Sequence, residues 1–510
     1  MPTEGSPVST ADEQHGGEDR ANWGSSLRQG LVWSAAAFVA SKALALVAIV
    51  VLARLLAPSE FGLLAAVVAY IAVIELGSDL GMKATIIYEQ ERGVSSRIQT
   101  AFTLNLALAA ALSMVGVALA PLVAGFFGVA GHTDLFRLGA LNLLLTGLGN
   151  THDALLLRDM SFILRIRPQV VRDLVRGVVA IALAVAGFGA AALVIGHLAG
   201  TAAWCAVQWI MSPLRPRLQF DRAIARSMIG YGRASAMLEV LAALTSRIDV
   251  LVIGGLLGSL ALGVYTIAFR LPDMLIASVA YTATVVAFPA LARKRDEDRG
   301  SLAGATLQLL RYQALYALPL GAAVATLSVP LINVLFSPTW QAAAPVMVPI
   351  AIAAAVRASV FPLGDTLKAA GRQGTLVRIN LLAIPALIGG CVLAQDDGIT
   401  AVAWAIAIVI AIVGSLQTGA VRQLLGLSWQ QLGAALLPAL TTALGVLAGS
   451  GAVRLLWDSP DLTALLAGAV AGAAGGFVAL RWLATATYVD LTRQLRGVVP
   501  RRRIRAVAGS

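Results

Sequence analysis

Fourteen apolar segments follow one another along the chain, at about 30–53, 61–82, 99–127, 135–157, 169–187, 190–211, 229–255, 259–289, 309–335, 342–365, 375–394, 399–421, 433–456 and 462–485. Their length is close to the ~20 residues an α-helix needs to cross the hydrocarbon core. The apolar runs are continuous and do not alternate, so they predict helices and not the ~10-residue alternating strands of a barrel. Most charged residues lie in the gaps, and base collects in every second gap. Examples are Arg92 with Arg97, Arg158 with Arg165 and Arg167, the Arg215–Arg226 stretch, Arg293 to Arg299, Lys368 with Arg372, and Arg422. The alternate gaps, such as Gly187-Phe188-Gly189 and Gln395-Asp396-Asp397-Gly398, are nearly free of base. By the positive-inside bias the basic gaps and both termini face the cytoplasm, which an even number of spans permits. The expected fold is an all-α membrane protein with about 14 transmembrane helices.

A repeat divides the pattern. Leu55-Leu56 and Gly62, between segments 1 and 2, match Leu256-Leu257 and Gly263, between segments 7 and 8, at a constant offset of 201 residues. Six helices per repeat give both halves the same orientation, related by an axis along the membrane normal. The predicted organisation has a polar tail over 1–29, an N-lobe over 30–211 and a basic cytoplasmic linker over 212–228. A C-lobe over 229–424, two additional helices over 425–485 and a basic cytoplasmic tail over 486–510 complete it.

Composition agrees with a membrane solvent. Hydrophobic residues make up 58% of the 510 and charged residues 13%, with mean hydropathy +0.82; soluble chains carry about 25% charged residues. The net charge of +11 lies beside membrane segments, so it orients the chain and meets anionic lipid headgroups and not nucleic acid. The two cysteines and four histidines are scattered, and their spacing matches no metal or disulfide framework. No GxxxxGK[ST] phosphate loop occurs in the sequence.

The stretch Leu52-Ala53-Arg54-Leu55-Leu56-Ala57-Pro58-Ser59-Glu60-Phe61-Gly62, followed by Asp79-Leu80-Gly81, resembles the first-loop and second-helix signature of bacterial polysaccharide flippases. These are the Wzx-type, colanic- and teichuronic-acid-exporter-like members of the multidrug/oligosaccharidyl-lipid/polysaccharide superfamily. Similar stretches recur in order: Gly263-Val264-Tyr265-Thr266-Ile267-Ala268-Phe269-Arg270-Leu271-Pro272 leading to Phe288-Pro289-Ala290-Leu291, and Leu335-Phe336-Ser337-Pro338-Thr339-Trp340 leading to Leu367-Lys368-Ala369-Ala370-Gly371-Arg372. The resemblance covers roughly residues 30–425. It implies a V-shaped bundle of two six-helix lobes plus two C-terminal helices, in the bacterial plasma (inner) membrane. It also implies a transporter that moves undecaprenyl-diphosphate-linked oligosaccharide to the outer leaflet for lipopolysaccharide or other surface-polysaccharide biosynthesis, beside polymerases and glycosyltransferases. The second lobe departs from the pattern, having no proline and acid equivalent to Pro58 and Glu60.

Ionisable residues inside apolar segments are functional candidates. Lys42, Arg270 and Arg357, with Arg247 and Arg176, are the basic ones. A lipid diphosphate is the charged group that such a transporter must bring to mid-bilayer, and arginine's fork of donors matches phosphate oxygens. Snorkelling or pairing with Asp273 or Asp249 is the competing role for these cations. The acids inside apolar segments are Glu75, Asp79, Asp173, Glu239, Asp249 and Asp365. Glu75 and Asp79 share a helical face, and with Glu239 they are the candidates for exchanging H⁺ or holding Na⁺, a structural hydrogen bond or salt bridge to a neighbouring helix being the competing role. In the first of these roles an H⁺ or Na⁺ gradient is the energy source; no cofactor is expected. Gly254/Gly258 and Gly468/Gly472/Gly476 have the four-residue spacing of close helix packing. Tyr70, Tyr265, Tyr281, Trp204 and Trp404 are candidates for sugar stacking or interface anchoring. The competing functions are a multidrug or metabolite exporter of the same superfamily and a membrane polysaccharide polymerase or ligase. The enzyme reading is disfavoured by outer gaps too short to carry an acid/base site.

Overall fold

The computed structural model describes residues 42–75, 94–158, 162–212, 215–297, 299–457, 461–485, 487–489 and 492. Among these residues there are helices and turns and no strand. Nine of the described helices are long and apolar enough to cross a membrane, or ten if one sharply bent pair is a single span.

The described residues cluster into two compact units. One contains the chain up to Leu56 together with Val67–Leu244, and the other contains Ala57–Ala66 together with the chain from Thr245. In the first, α1 (42–55) is followed by α2 (Pro58–Glu75), whose last part belongs here, and by α3 (Val94–Phe126). Two helices, α4 (Thr133–Ala140) and α5 (Asn142–Arg158), pack on α3. The pair α6 (Phe162–Val185) and α7 (Ala190–Met211) lie against each other, with Gly196 and Gly200 facing backbone and Cβ atoms of Arg172, Arg176 and Ala180. The basic linker is tied to α3: Thr103 Oγ1 donates to the Gln219 carbonyl at 2.8 Å, and Asp221 N donates to Thr100 Oγ1 at 3.3 Å. Asp221 then caps the next helix, α8 (Arg222–Pro272), by accepting from the amides of Ala223 and Ile224. The latter part of the basic stretch is therefore helical, because an aspartate at its head satisfies the first free N–H groups.

The second unit contains α8 from Thr245, α9 (Ser278–Glu297), α10 (Arg299–Thr326), α11 (Ser328–Leu335), α12 (Ala343–Ala369), α13 (Gln373–Ala394), α14 (Ile399–Leu425), α15 (Trp429–Leu456) and α16 (Leu462–Leu483). Helix α12 lies among α9, α10 and α14, while α15 packs on both α10 and α16. Two breaks follow from local chemistry. Gly258 has φ +78°, a conformation costly for any residue with a Cβ, and it separates the two straight parts of α8. A Cβ there would meet open space, so Gly258 itself does not pack closely against a neighbouring helix as its spacing suggests. It serves the backbone break. The second break, of 70°, separates α10 from α11 just before Pro330. The other glycine series packs as expected: Gly468 receives the Leu327 side chain, and Gly472 and Gly476 face Val446, Ser450 and Thr442 of α15.

The repeat detected in sequence appears as a physical crossing inside the second unit. Gly62, in the first turns of α2, faces the Ser259 carbonyl, and Gly263 faces the Pro58 carbonyl. Pro58 and Ser259 are themselves separated by 201 positions, so each repeat contributes the same two positions to the crossing. The two helices begin by different means. Pro58 occupies the first turn, where a missing N–H is no loss, and Glu60 accepts from the Ala57 amide at 2.7 Å. The later copy, without that proline and acid, starts at the Gly258 break. Phe61 meets the fully buried Trp340 edge-on, with ring centroids 5.1 Å apart. Members of the three family-like stretches, Pro58–Gly62, Gly263 and Trp340, therefore pack together within this unit.

Candidate functional site

The predicted charges fall into two groups. In the first unit, Lys42 begins the described part of α1 and is half-buried. Half-buried Arg176 sits on α6 and, with Arg172, lies within electrostatic range of His197 on α7. Glu75 ends α2 and is half-buried, whereas Asp79 lies outside the described residues, so the Glu75/Asp79 pair stays an expectation. Glu239 lies in α8, and its side chain is also outside those described.

In the second unit, Arg270 is half-buried, two residues before Pro272, where the helix opens into a π turn over Asp273–Ala277. Proline removes a backbone donor, which accounts for the widened turn. Arg247 is exposed at the start of the described side chains of α8. Its neighbour Asp249 is bound elsewhere: Tyr265 Oη donates to Asp249 Oδ2 at 2.6 Å. Tyr265 is 2% exposed, and this bond bridges the two parts of α8 across the Gly258 break. Arg357 of α12 lies within electrostatic range of Tyr265, and Cys391 of α13 within range of both Tyr265 and Asp249. Three helices thus bring Arg357, Asp249, Tyr265 and Cys391 to one place. Arg357 is exposed although it lies at the middle of an apolar helix. A guanidinium at that depth is tolerable only where water or an anion reaches it.

The Asp249–Tyr265 pair is a site the sequence reading missed. Both residues were visible in it, one as a buried acid and one as an aromatic, but 16 positions separate them. A helical face pairs residues three or four apart, so only the break in α8 brings them together. Two of the aromatics singled out for sugar or interface contact serve packing instead. Trp204 is 9% exposed and fills the space left by Gly149, and buried Tyr70 donates to the Gly116 carbonyl. Tyr281 and Trp404 remain exposed.

The chain is similar in sequence and fold to known membrane proteins. A family model described as polysaccharide biosynthesis protein matches residues 51–345. The teichuronic acid biosynthesis protein TuaB of Bacillus subtilis (strain 168) is 23% identical over 344 residues, covering 65% of this chain and 69% of that one. The lipopolysaccharide biosynthesis protein WzxC of Escherichia coli (strain K12) is 24% identical over 388 residues, covering 73% and 76%. Among solved structures, the lipid II flippase MurJ in an inward closed conformation aligns with TM-score 0.73 at 14% identity, over 90% of this chain and 100% of that one. An inward-facing multidrug resistance MATE family transporter aligns with TM-score 0.60 at 14% identity, over 76% and 94%. These likenesses establish a multi-pass helical membrane fold of the MurJ and MATE kind.

Proposed function

Because the chain belongs to the polysaccharide biosynthesis protein family, we propose that it carries undecaprenyl-diphosphate-linked oligosaccharide from the cytoplasmic to the outer leaflet of the bacterial plasma membrane. It does so by alternating access, without chemistry on its cargo. The observation that carries this reading is the exposed guanidinium of Arg357 in mid-span, beside a hydrogen-bonded Asp249–Tyr265 pair. A diphosphate is the part of the cargo most costly to move through low dielectric, and fixed cations lower that cost. Arg270 and Arg247 in the same unit as Arg357, and Lys42 and Arg176 in the other, are further cations suited to the same service. The names of similar proteins support the cargo class, since TuaB and WzxC are called teichuronic acid and lipopolysaccharide biosynthesis proteins.

Transport against a gradient requires coupling to H⁺ or Na⁺, and acids in the membrane are the groups able to bind either. Glu75, Asp79 and Glu239 serve this role in the reading above. Asp249 joins them because its carboxylate is already held by Tyr265 next to a cation. The basic gaps and both termini face the cytoplasm, where glycosyltransferases supply the cargo. A polysaccharide polymerase takes it on the other side.

The test is deletion of the protein, followed by analysis of surface polymer and of lipid-linked intermediates by mass spectrometry. Loss of polymer with intermediates accumulating on the cytoplasmic leaflet is the expected result. Unchanged intermediates together with altered drug sensitivity would overturn the proposal in favour of an exporter.

A further inference from the structure

A cavity of about 370 Å³ lies at the ends of α15 and α16, among Arg454, Trp457, Asn333, Gln341, Leu327 and Pro330. Its walls come from the last turn of α15, the start of α16, the bent helix α11 and the turn after it. The last turn of α15, the start of α16 and the turn after α11 are ends of apolar helices, which puts the cavity at the level of the membrane–water boundary. Its chemistry is divided. Arg454, Asn333 and Gln341 supply polar groups and Trp457 an amphipathic ring, while Leu327 and Pro330 give an apolar wall.

The position of Arg454 follows from the break between α10 and α11. In an unbroken helix the Thr326 carbonyl would accept from the amide four residues later, but that residue is Pro330, which has no N–H. Arg454 Nη1 takes the amide's place, donating to the Thr326 carbonyl at 2.9 Å. One turn earlier on α15, Ser450 Oγ is hydrogen-bonded to Thr326 Oγ1 at 2.8 Å. One of the guanidinium's five donors is thus used to hold it in place, and the group remains exposed on the cavity wall. Leu455 and Leu456, between Arg454 and Trp457, are 88% and 89% exposed. An apolar pair this bare beside an arginine and a tryptophan is the pattern of a surface that meets lipid at headgroup depth.

We propose that this cavity binds the phosphate headgroup of an acidic glycerophospholipid, held by Arg454 and flanked by Trp457, with its acyl chains leaving past Leu455 and Leu456. The volume suits a headgroup and its glycerol and is at the small end of ligand pockets. One guanidinium and two amides are enough for a phosphate and a glycerol and too few for an oligosaccharide. The site therefore takes a lipid of the surrounding bilayer and not the transported glycan.

The test uses the full chain in nanodiscs of phosphatidylcholine containing phosphatidylglycerol, with retained lipid measured by mass spectrometry after extraction. Wild type should retain phosphatidylglycerol in excess, and Arg454→Gln should lower that excess roughly five- to tenfold, the effect of losing one charge-assisted contact. Because Arg454 also supports Thr326, a second variant, Val329→Trp, fills the cavity while leaving the guanidinium in place, and it should lower the excess equally. Equal retention in wild type and both variants overturns the proposal. So does protection against heating by inorganic phosphate that matches phosphatidylglycerol, which makes the site one for a free anion. Preferential displacement of phosphatidylglycerol by undecaprenyl diphosphate also overturns it, since the site then belongs to the cargo. The readout is lipid retention, so it stands or falls apart from the glycan-transport reading.

Discussion

Replacing Gly62 or Gly263 by alanine tests the crossing that joins the two repeats. A Cβ on Gly62 would overlap the Ser259 carbonyl oxygen and lie 2.6 Å from its carbon, and a Cβ on Gly263 would lie 2.7 Å from the Pro58 carbonyl carbon. The carbonyl oxygens are nearer still, and ordinary contacts are about 3.2 Å or more, so each substitution forces the two backbones apart by about 1.5 Å. Neither obstacle is the flexible end of a side chain, and the displacement is transmitted to the Phe61–Trp340 contact beside it. Overpacking of this kind costs about 1–3 kcal/mol. Both alanines would occupy the same widened crossing, so the double variant should cost clearly less than the two singles together. Thermal unfolding of the purified protein can be followed with a thiol-reactive dye, because Cys205 and Cys391 are both buried and free. A fall of roughly 2 °C or more is expected for each single variant. Single variants that melt with wild type, or a strictly additive double variant, would refute the reading of a shared backbone contact.

Neutralising Lys42, Arg270 and Arg357 should each lower surface polymer at normal expression, measured by immunoblot; export left intact in all three would end the cationic-path reading. Tyr265→Phe removes a 2.6 Å hydrogen bond to Asp249, a bond type worth about 1.5–3 kcal/mol where the acceptor is charged. It should reduce export in the same assay while Arg357→Lys retains more activity than Arg357→Gln. Gly258→Val should lower the melting temperature more than Gly258→Asn, because the strain is in the backbone at φ +78° and a Cβ meets no obstacle. Cysteines placed at Arg293 and at Gln395 should be labelled from opposite faces of the membrane by impermeant reagents, and labelling from one face would overturn the alternation of basic gaps.

Helix order, and most helix limits to within a few residues, were legible in the sequence because hydrocarbon demands long unbroken apolar runs. Segment 190–211 coincides with α7, and 399–421 lies within α14. The repeat was legible too, since Gly62 and Gly263 must both lack a Cβ for the same reason. That the two glycines touch each other's helix could not be read from their offset. Identifying which charges matter was only partly possible. Arg357 stood out because an arginine in mid-span is costly wherever it points, but nothing local joins it to Tyr265, Asp249 or Cys391. The Arg454 cavity left no mark on the hydropathy pattern, because it depends on a proline 124 positions upstream freeing a carbonyl. The sequence by itself determined solvent, helix order and the list of expensive charges, all set by what one segment pays to enter lipid. Tertiary structure alone decided which of those charges meet, because a break such as Gly258 or the bend before Pro330 turns distant positions toward each other.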